Sequence, residues 1–261
     1  MESFASPSPG IRKDGRDATA IRPLQLELRV QRNPEGSALI AMGGTRVLVA
    51  ASVEDGVPSW LRGQGRGWLS AEYAMHPRAN PTRQEREWRK GKVDGRTMEI
   101  QRLIGRALRA ALRLEALGER QIIVDCDVLD ADGGTRTAAI NGGFVALAMA
   151  LEHLRCQGLV SGALRTQVAA ISAGWVDGTP MVDLCYEEDS RAQVDLNVVA
   201  TASGEIVEIQ GTAEGAPLAR SDFDKLVNLA LEAMPALFKA QRDALLSLSI
   251  DLDRLSGKEA P

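Results

Sequence analysis

Apolar and polar residues alternate strictly over residues 24–30, where leucine or valine occupies every second position. This period of two predicts a strand with one buried face. Apolar runs over 37–42 and 47–53 predict two more strands, and the Gly-Gly-Thr-Arg at 43–46 between them is interpreted as a hairpin turn, not as a ligand site. Later strands are predicted over 168–176, 181–186, 193–201 and 205–210.

Three longer segments repeat apolar residues at the spacing of a helix. The first is predicted to run from Arg96 to Leu117, with its later arginines on a solvated or subunit-facing stripe. The second follows the glycine pair at 133–134 and shows one apolar stripe. The third is predicted to begin with Ser221 as its N-cap.

Strands and helices come in two batches, and no Pro- or Ser-rich linker separates the batches. We therefore predict an α+β fold in which two similar lobes, each a β-sheet with helices, form one domain over residues 11–247. Residues 1–10 show no signal-peptide pattern and are expected to be a disordered tail. Residues 248–261 are expected to be a polar, fraying C-terminal tail.

Composition narrows the class of protein. The 261 residues are 44% hydrophobic and 25% charged, which is typical of a soluble globular protein, and no apolar run approaches the roughly 20 residues of a membrane span. Cys126, Cys156 and Cys185 lack metal spacing, so we predict reduced core thiols in a cytoplasm. The net charge of −4 argues against nucleic acid on average, but binding needs only a local basic patch.

Such a basic patch precedes the first predicted helix. Between Arg78 and Lys92 there are six basic residues against two acids, and aromatic residues stand at 60, 68, 73 and 88. Basic side chains that neutralise a phosphate backbone, beside rings that stack on bases, are typical of single-stranded nucleic acid binding. The segment predicts RNA binding, with a solvated loop of Glu–Arg pairs as the alternative.

The stretch 125–143, DCDVLDADGGTRTAAINGG, reads as a strand, a glycine turn and the start of an apolar helix. This order presents free backbone N–H groups to an anion. Thr135 adds a hydroxyl and Arg136 a positive fork, and both suit a phosphate. The alternative is an ordinary tight turn in which Arg136 pairs with a nearby aspartate.

Asp189 and Asp195 are the candidates for a metal site. Two carboxylates at one edge of a sheet can hold Mg²⁺ and leave waters for substrate oxygens. Two unrelated surface acids are the commoner outcome for such a pair, and Asp183, Glu187 and Glu188 compete as candidates. The chain has no G-x-S-x-G, P-loop or H-E-x-x-H, so neither a covalent nucleophile nor a zinc site is expected.

Taken together, the sequence resembles the ribonuclease PH family of phosphorolytic 3′-to-5′ exoribonucleases, which trim tRNA precursors. The resemblance extends over about residues 11–245 and implies a fold of the RNase PH type. Five blocks in the family's order carry it: GQGRGWLSAEYAMHPR (63–78), GRTMEIQRLIGRALR (95–109), DCDVLDADGGTRTAAI (125–140), YEEDSRAQVDLNVV (186–199) and EIQGTAEG (208–215).

Site residues follow from the resemblance, position by position. Those implied to bind inorganic phosphate, the co-substrate, are Arg96, Gly134, Thr135 and Arg136. Asp189 and Asp195 are implied to hold Mg²⁺, or Mn²⁺, and to be catalytic together with Arg96 and Arg136. The residues implied to guide the RNA 3′ end are Arg78, Arg83 and Arg86, in a segment that departs from the family by reading MHPRANPTRQERE.

The resemblance also implies the reaction and the partners. Bound phosphate attacks the terminal phosphodiester and releases a nucleoside diphosphate, and the reverse reaction adds nucleotides. The implied partners are tRNA precursors and other RNA 3′ ends, without a membrane, and the implied assembly is a cytoplasmic homo-hexamer built as a trimer of dimers. One alternative is a catalytically inactive RNA-binding ring subunit of an exosome-like assembly. The other is a small-molecule kinase, which leaves the basic segment without a purpose.

Overall fold

The computed structural model describes residues 12–258, except the side chains of Trp88 and Lys90, so the tail expected at 1–10 lies outside the described residues. Two sheets and five α-helices account for most of this part, which confirms the predicted α+β fold. The strands are β1 (Leu24–Leu28), β2 (Gly36–Met42), β3 (Thr45–Asp55), β4 (Trp68–Met75), β5 (Arg120–Asp130), β6 (Val168–Val176), β7 (Thr179–Val182), β8 (Val194–Thr201) and β9 (Ile206–Ala213). The helices are α1 (Gly95–Ala110), α2 (Thr135–Cys156), α3 (Tyr186–Asp189), α4 (Arg220–Leu246) and α5 (Leu252–Leu255).

The first sheet has the strand order β1-β2-β3-β5-β4, and the second has the order β7-β6-β8-β9. In the first sheet Met42 pairs with Thr45, so the first Gly-Gly-Thr-Arg is a hairpin turn as predicted. The predicted alternation in β5 is also confirmed, since Val124, Cys126 and Val128 are buried.

Among the described strands one pair is parallel, and this pair determines where the loops meet. β4 and β5 run side by side in the same direction, and α1 connects the end of β4 to the start of β5. In such a crossover, the loop after each strand leaves the sheet at the same edge. The basic segment after β4, the start of α1 and the glycine turn after β5 therefore lie together.

Helix α2 lies between the two sheets and packs on β2, β3, β5 and β6. The sequence predicted one apolar stripe, which is too narrow: most of the helix is buried on all sides, because both sheets need an apolar surface to cover. By length and composition alone α2 is also long and apolar enough to cross a membrane, contrary to the expectation from apolar runs. In the structure 89% of its most apolar window is buried inside the protein.

Helix α1 ends earlier than predicted, at Ala110 instead of Leu117. Its inward face is buried as expected, but Leu112 leaves the helix to form a β-bridge with Leu164, and a separate 3₁₀ turn covers Leu114–Leu117. A tertiary contact with a segment about fifty residues away thus ends the helix, and the local sequence pattern does not predict this end.

The arginine stripe of α1 is not a uniform solvated surface. Arg106 pairs with Glu208 of β9, with Nη2 2.5 Å from Oε1. Arg109 donates to the carbonyl oxygen of Leu69 at 2.8 Å and lies over the ring of Trp68, 4.4 Å from its centroid. At least these two arginines of the predicted stripe (Arg102, Arg106, Arg109 and Arg113) therefore tie α1 to both sheets.

The C-terminal segment also differs from the prediction. Helix α4 begins at Arg220 with Ala219 as its N-cap, so Ser221 lies inside the first turn and is not the cap. The segment after Ser247 is packed on the protein and is not a frayed tail, because Ile250, Leu252 and Leu255 are buried against the core. Their apolar side chains are separated by polar residues, which gave the segment its polar character in sequence.

The predicted strand over 181–186 ends at Val182, and the acidic loop that follows forms the single turn of α3. The three cysteines are free, but they are not all core thiols. Cys126 is buried, Cys185 is half-buried and Cys156 is exposed.

Candidate active site

The candidate site lies at the edge of the first sheet where β4 and β5 end. Backbone hydrogen bonds join the two loops there: the N–H of His76 donates to Val128 at 2.8 Å, and the N–H of Ala131 donates to Ala79 at 2.9 Å. The basic segment is therefore fixed beside the glycine turn at its first residues.

The glycine turn, residues 132–134, has two glycines in the left-handed region, Gly133 at φ +73° and Gly134 at φ +63°. A side chain on Gly133 would meet the backbone that enters α3, since a Cβ atom would lie 2.5 Å from the carbonyl oxygen of Leu184. Glycine is thus needed both for the turn and for the close approach of α3. The turn leads straight into α2, whose first N–H groups have no acceptor within the helix.

The two Gly-Gly-Thr-Arg segments lie against each other, which the sequence did not reveal. The hydroxyl of Thr45, in the first, donates to the carbonyl oxygen of Gly133 at 2.5 Å and accepts from the N–H of Asp132 at 2.9 Å. The hairpin turn is therefore no ligand site itself, but it holds the glycine turn in shape.

Arg22 supports the turn from the N-terminal segment. Its guanidinium donates to the carbonyl oxygen of Asp132 at 2.5 Å and pairs with the buried Asp183 at 2.7 Å. Burial alone would lower the pKa of Arg22, but its hydrogen bonds and ion pair with Asp183 raise that pKa instead. Sequence reasoning missed Arg22, since nothing near it in the chain signals a partner 161 residues away.

Four of the charged residues singled out in the sequence come together here. The charges of Arg96, at the start of α1, and Arg136, at the start of α2, both act on Asp189 at the end of α3 and on Asp195 in β8. Each comes from a different element, so the fold and not the local chain assembles the group.

Arg136 has an unused donor. Its Nε is buried and has no hydrogen-bond partner among the described residues. A buried donor without a partner costs about 1–3 kcal/mol, so an acceptor from outside the chain is expected there. The alternative, an ordinary tight turn in which Arg136 pairs with a nearby aspartate, gains no support from this unpaired Nε.

The aspartate pair is electrostatically costly without a cation. Burial raises the pKa of Asp195 to about 6, and the neighbouring charge of Asp189 adds to that rise, against the opposing effect of Arg136 and Arg96. Partial burial likewise raises the pKa of Asp189 above its ordinary value. A partly buried carboxylate whose pKa is raised further by a neighbouring carboxylate is stabilised by a positive charge between the two.

The competing acidic residues are occupied by the N-terminal segment. Asp183 is fully buried and paired with Arg22. Glu188 pairs with Arg12, and Glu187 pairs with Lys13. Among the described residues, no group of three or more His, Cys, Asp or Glu side chains could hold a metal. A cation site would therefore rest on two carboxylates, a set that suits Mg²⁺, which keeps several waters.

The predicted RNA-guiding arginines lie in the basic segment, and all three are exposed: Arg78, Arg83 and Arg86. The aromatic residues are arranged less uniformly than predicted. Trp60 is 57% exposed and meets Trp68 edge-on, with ring centroids 4.9 Å apart. Tyr73 is not a stacking surface, because it is buried and bonded to Thr135. The side chain of Trp88 lies outside the described part of the chain.

Comparisons with known proteins identify the family. The model of the 3′ exoribonuclease family, domain 1, matches residues 20–151, and the model of domain 2 matches residues 166–233. Ribonuclease PH of Mycobacterium tuberculosis is 56% identical over 236 residues, which cover 90% of this chain and 91% of that protein. Ribonuclease PH of Mycobacterium ulcerans matches equally, at 56% identity over the same shares of both chains.

Solved structures share the fold at low identity. Rrp46 from rice superposes with a TM-score of 0.73 at 20% identity, covering 90% of this chain and all of that one. A chain of the Archaeoglobus fulgidus exosome with RNA bound to the active site has a TM-score of 0.71 at 24% identity, and the match covers 87% of this chain and 91% of that one. The resemblance to ribonuclease PH is thus confirmed. The chain belongs to the 3′ exoribonuclease family, in which it is a phosphorolytic 3′-to-5′ exoribonuclease, a phosphate-dependent tRNA nucleotidyltransferase.

Proposed function

We propose that the site formed by Arg96, Arg136, Asp189 and Asp195 performs this phosphorolysis. The observation that carries the proposal is the convergence of two arginines and two aspartates from four elements, beside the start of α2. Within it, the buried Nε of Arg136 lacks an acceptor that a phosphate oxygen would supply.

Inorganic phosphate is bound between the two arginines. Arg136 and Arg96 donate charge-assisted hydrogen bonds, Thr135 donates from its hydroxyl, and the N–H groups after Gly134 donate from the helix start. These donors lie at the starts of α1 and α2, beside the edge of the first sheet, and hold the phosphate in a fixed orientation. An oriented nucleophile avoids most of the entropic cost of a bimolecular attack.

The RNA 3′ end approaches across the basic segment. Arg78, Arg83 and Arg86 neutralise backbone phosphates and align the terminal phosphodiester with the bound phosphate. Arg96 lies at the start of α1, where the basic segment ends, so it is the residue placed to contact both phosphoryl groups. The leaving group is the 3′-oxygen of the shortened RNA.

Asp189 and Asp195 would hold Mg²⁺, or Mn²⁺. The fit rests on the donor chemistry: two carboxylates, of which Asp189 raises the pKa of Asp195, in a set small enough to leave coordination positions for water and substrate oxygens. Such an ion offsets negative charge on the phosphoryl oxygens and on the leaving oxygen. The chain itself keeps both carboxylates close to the arginines, so the charge in the site stays nearly balanced.

Catalytic competence distinguishes this proposal from the inactive ring subunit. Such a subunit would typically lack the phosphate arginines or the aspartate pair, and here both sets are present and adjacent. The test is incubation of a tRNA carrying a labelled 3′ extension with the protein and Mg²⁺, with and without phosphate. Nucleoside diphosphates that appear only with phosphate are expected.

The residue assignment is tested by Arg136→Ala. It should raise the KM for phosphate about tenfold or more, and leave RNA binding largely intact. Arg220→Ala is the matched control, since Arg220 lies exposed on α4 and pairs with Asp224. An unchanged KM in Arg136→Ala would move the phosphate site elsewhere, and monophosphates formed without phosphate would indicate hydrolysis.

The assembly and the compartment are part of the proposal. We propose a homo-hexamer, a trimer of dimers, on the support of the fold shared with exosome subunits. Light scattering should give six copies of the 28.0 kDa chain, about 168 kDa. Three free cysteines, one of them exposed, fit the reducing cytoplasm, and fractionation of cells that express a tagged chain tests that location.

A further inference from the structure

Tyr73 makes a direct contact with the phosphate loop, which comprises the glycine turn at 132–134 and the first two residues of α2, and it has no part in the proposed phosphorolysis. The residue lies in β4, is 3% exposed, and its O–H donates to Oγ1 of Thr135 at 2.9 Å. Thr135 is the first residue of α2 and is itself 7% exposed. The bond therefore joins two buried hydroxyls across the gap between the sheet and the helix.

The direction of this hydrogen bond follows from the burial of the tyrosine. A phenol has one proton to donate, and a buried donor without an acceptor costs about as much as a lost hydrogen bond. In the described part of the chain, the acceptor of the Tyr73 proton is Oγ1 of Thr135. With that lone pair of Thr135 occupied, the hydroxyl proton of Thr135 must point elsewhere.

The protonation state of Tyr73 supports the same direction. Burial raises the pKa of Tyr73 and outweighs the hydrogen bond with Thr135 and the charges of Arg96 and Arg136, which lower it, so the net shift is upward. The phenol therefore stays protonated at neutral pH and acts as a donor. The two arginines are the residues proposed to hold phosphate, so the Tyr73–Thr135 pair lies within the field of that site.

We propose that Tyr73 is a positioning residue for inorganic phosphate: it holds the hydroxyl of Thr135 with its proton directed toward the bound anion. This inference rests on the proposed phosphate site. A free threonine hydroxyl rotates among several directions, and only one of them donates to the phosphate. The tyrosine removes that freedom before phosphate arrives, which is preorganisation of a donor.

The position of Tyr73 in the sheet suits this role. Its strand β4 ends at Met75 and leads into the basic segment, so the strand that precedes the proposed RNA-guiding arginines also orients a phosphate donor. Its neighbour in β5 is Cys126, nine residues before Thr135. Parallel pairing of β4 with β5 thus sets the distance between the two hydroxyls.

The experiment is a double-mutant cycle on the KM for phosphate. Thr135→Val removes the hydroxyl at nearly constant shape, and we expect the KM to rise about tenfold, which equals about 1.4 kcal/mol. Tyr73→Phe removes only the orienting proton, and we expect a threefold to fivefold rise with kcat at saturating phosphate within twofold of the parent protein. In the double variant Tyr73→Phe should add nothing, because no hydroxyl is left to orient.

A stability control separates positioning from folding. Ser37→Ala removes another buried hydroxyl, one that accepts from and donates to the backbone of Gln31 away from the site. Ser37→Ala should lower the melting temperature by about as much as Tyr73→Phe does, without changing the KM for phosphate. The KM for RNA should stay unchanged in Tyr73→Phe as well.

Each contrary result has a distinct meaning. If Thr135→Val leaves the KM for phosphate unchanged, the proposed phosphate site is wrong and the role of Tyr73 falls with it. If Thr135→Val raises the KM but Tyr73→Phe does not, only the positioning role is wrong. A Tyr73→Phe effect that persists in the Thr135→Val background, or that changes phosphate and RNA alike, would make the tyrosine merely structural.

Discussion

Replacing Gly133 with alanine should move α3, and with it Asp189, away from the glycine turn. The new methyl group would lie 2.5 Å from the carbonyl oxygen of Leu184, 2.7 Å from the carbonyl carbon of Cys185 and 2.8 Å from the nitrogen of Tyr186. All three are backbone atoms at the start of α3, so no side-chain rotation can relieve the contact. The turn or α3 must move, and Asp189 moves with α3.

The size of the effect can be worked out from these distances. The Leu184 oxygen must retreat by about 0.9 Å, from 2.5 Å to the 3.4 Å of an ordinary contact. A misplacement near 1 Å in a catalytic group costs about a hundredfold in rate. Stability should fall by about 1 kcal/mol for the left-handed backbone and by about 2 kcal/mol for the crowding.

Gly178→Ala is the matched control. Gly178 has a φ of +78°, close to the +73° of Gly133, but a Cβ atom there would meet nothing within 4 Å. It should therefore show only the backbone cost, and Gly133→Ala should melt about 6 °C lower than this control. The assay is kcat for phosphorolysis of a 3′-extended tRNA beside a thermal melt. Equal melting temperatures and a kcat within threefold of the parent protein would refute the crowding argument.

Three further predictions concern the charged groups. Asp195→Asn should abolish turnover in both the phosphorolytic and the polymerising direction, and unaltered activity with Mg²⁺ would place the metal elsewhere. Changing Arg78 and Arg83 together to alanine should weaken RNA binding and make the slope of the logarithm of the RNA association constant against the logarithm of the salt concentration shallower by about 1.4. A slope equal to that of the parent protein would indicate that the segment is an ordinary solvated loop. Burial alone would raise the pKa of Glu188, but hydrogen bonds from Arg12 and from the backbone of Cys185 outweigh burial and lower that pKa. The ionised Glu188 therefore stabilises the fold fully above its unfolded pKa, and this stabilisation is lost as the pH falls through the folded pKa. Glu188→Gln should therefore lower the free energy of unfolding by about 3 kcal/mol at neutral pH and flatten the loss of stability below about pH 4.5. Urea unfolding at several pH values measures both effects, and a pH dependence of stability parallel to that of the parent protein would contradict the pairing.

Much of the fold could be predicted because its signals are local. The alternation in β5, the glycine turn and the start of α2 follow directly from residues 124–135, and the inward face of α1 follows from its helical spacing. The residues proposed for phosphate stand at such local junctions. Phosphate chemistry could thus be suggested from one stretch of the sequence. The resemblance of the chain to a known family rested instead on the order of several sequence blocks.

What the sequence alone left open depends on partners far along the chain. Asp183, Glu187 and Glu188 looked as suitable for a metal as Asp189 did, and only the fold shows that Arg22, Lys13 and Arg12 occupy them. These pairs join residues more than 160 positions apart. In the same way, Tyr73 is classed with the exposed aromatic residues until β4 is known to pair with β5.

Helix α2 is shared by the two sheets, and this sharing has a consequence for how the protein unfolds. The two family models divide the chain between residues 151 and 166, yet the helix that ends there supplies the apolar surface on which both halves rest. A fragment beginning at residue 166 would expose Val168, Ala170 and the rest of the inner face of β6 to water. Neither half should therefore fold when it is expressed alone, and the intact chain should melt in one cooperative transition with the phosphate loop among its last parts to open.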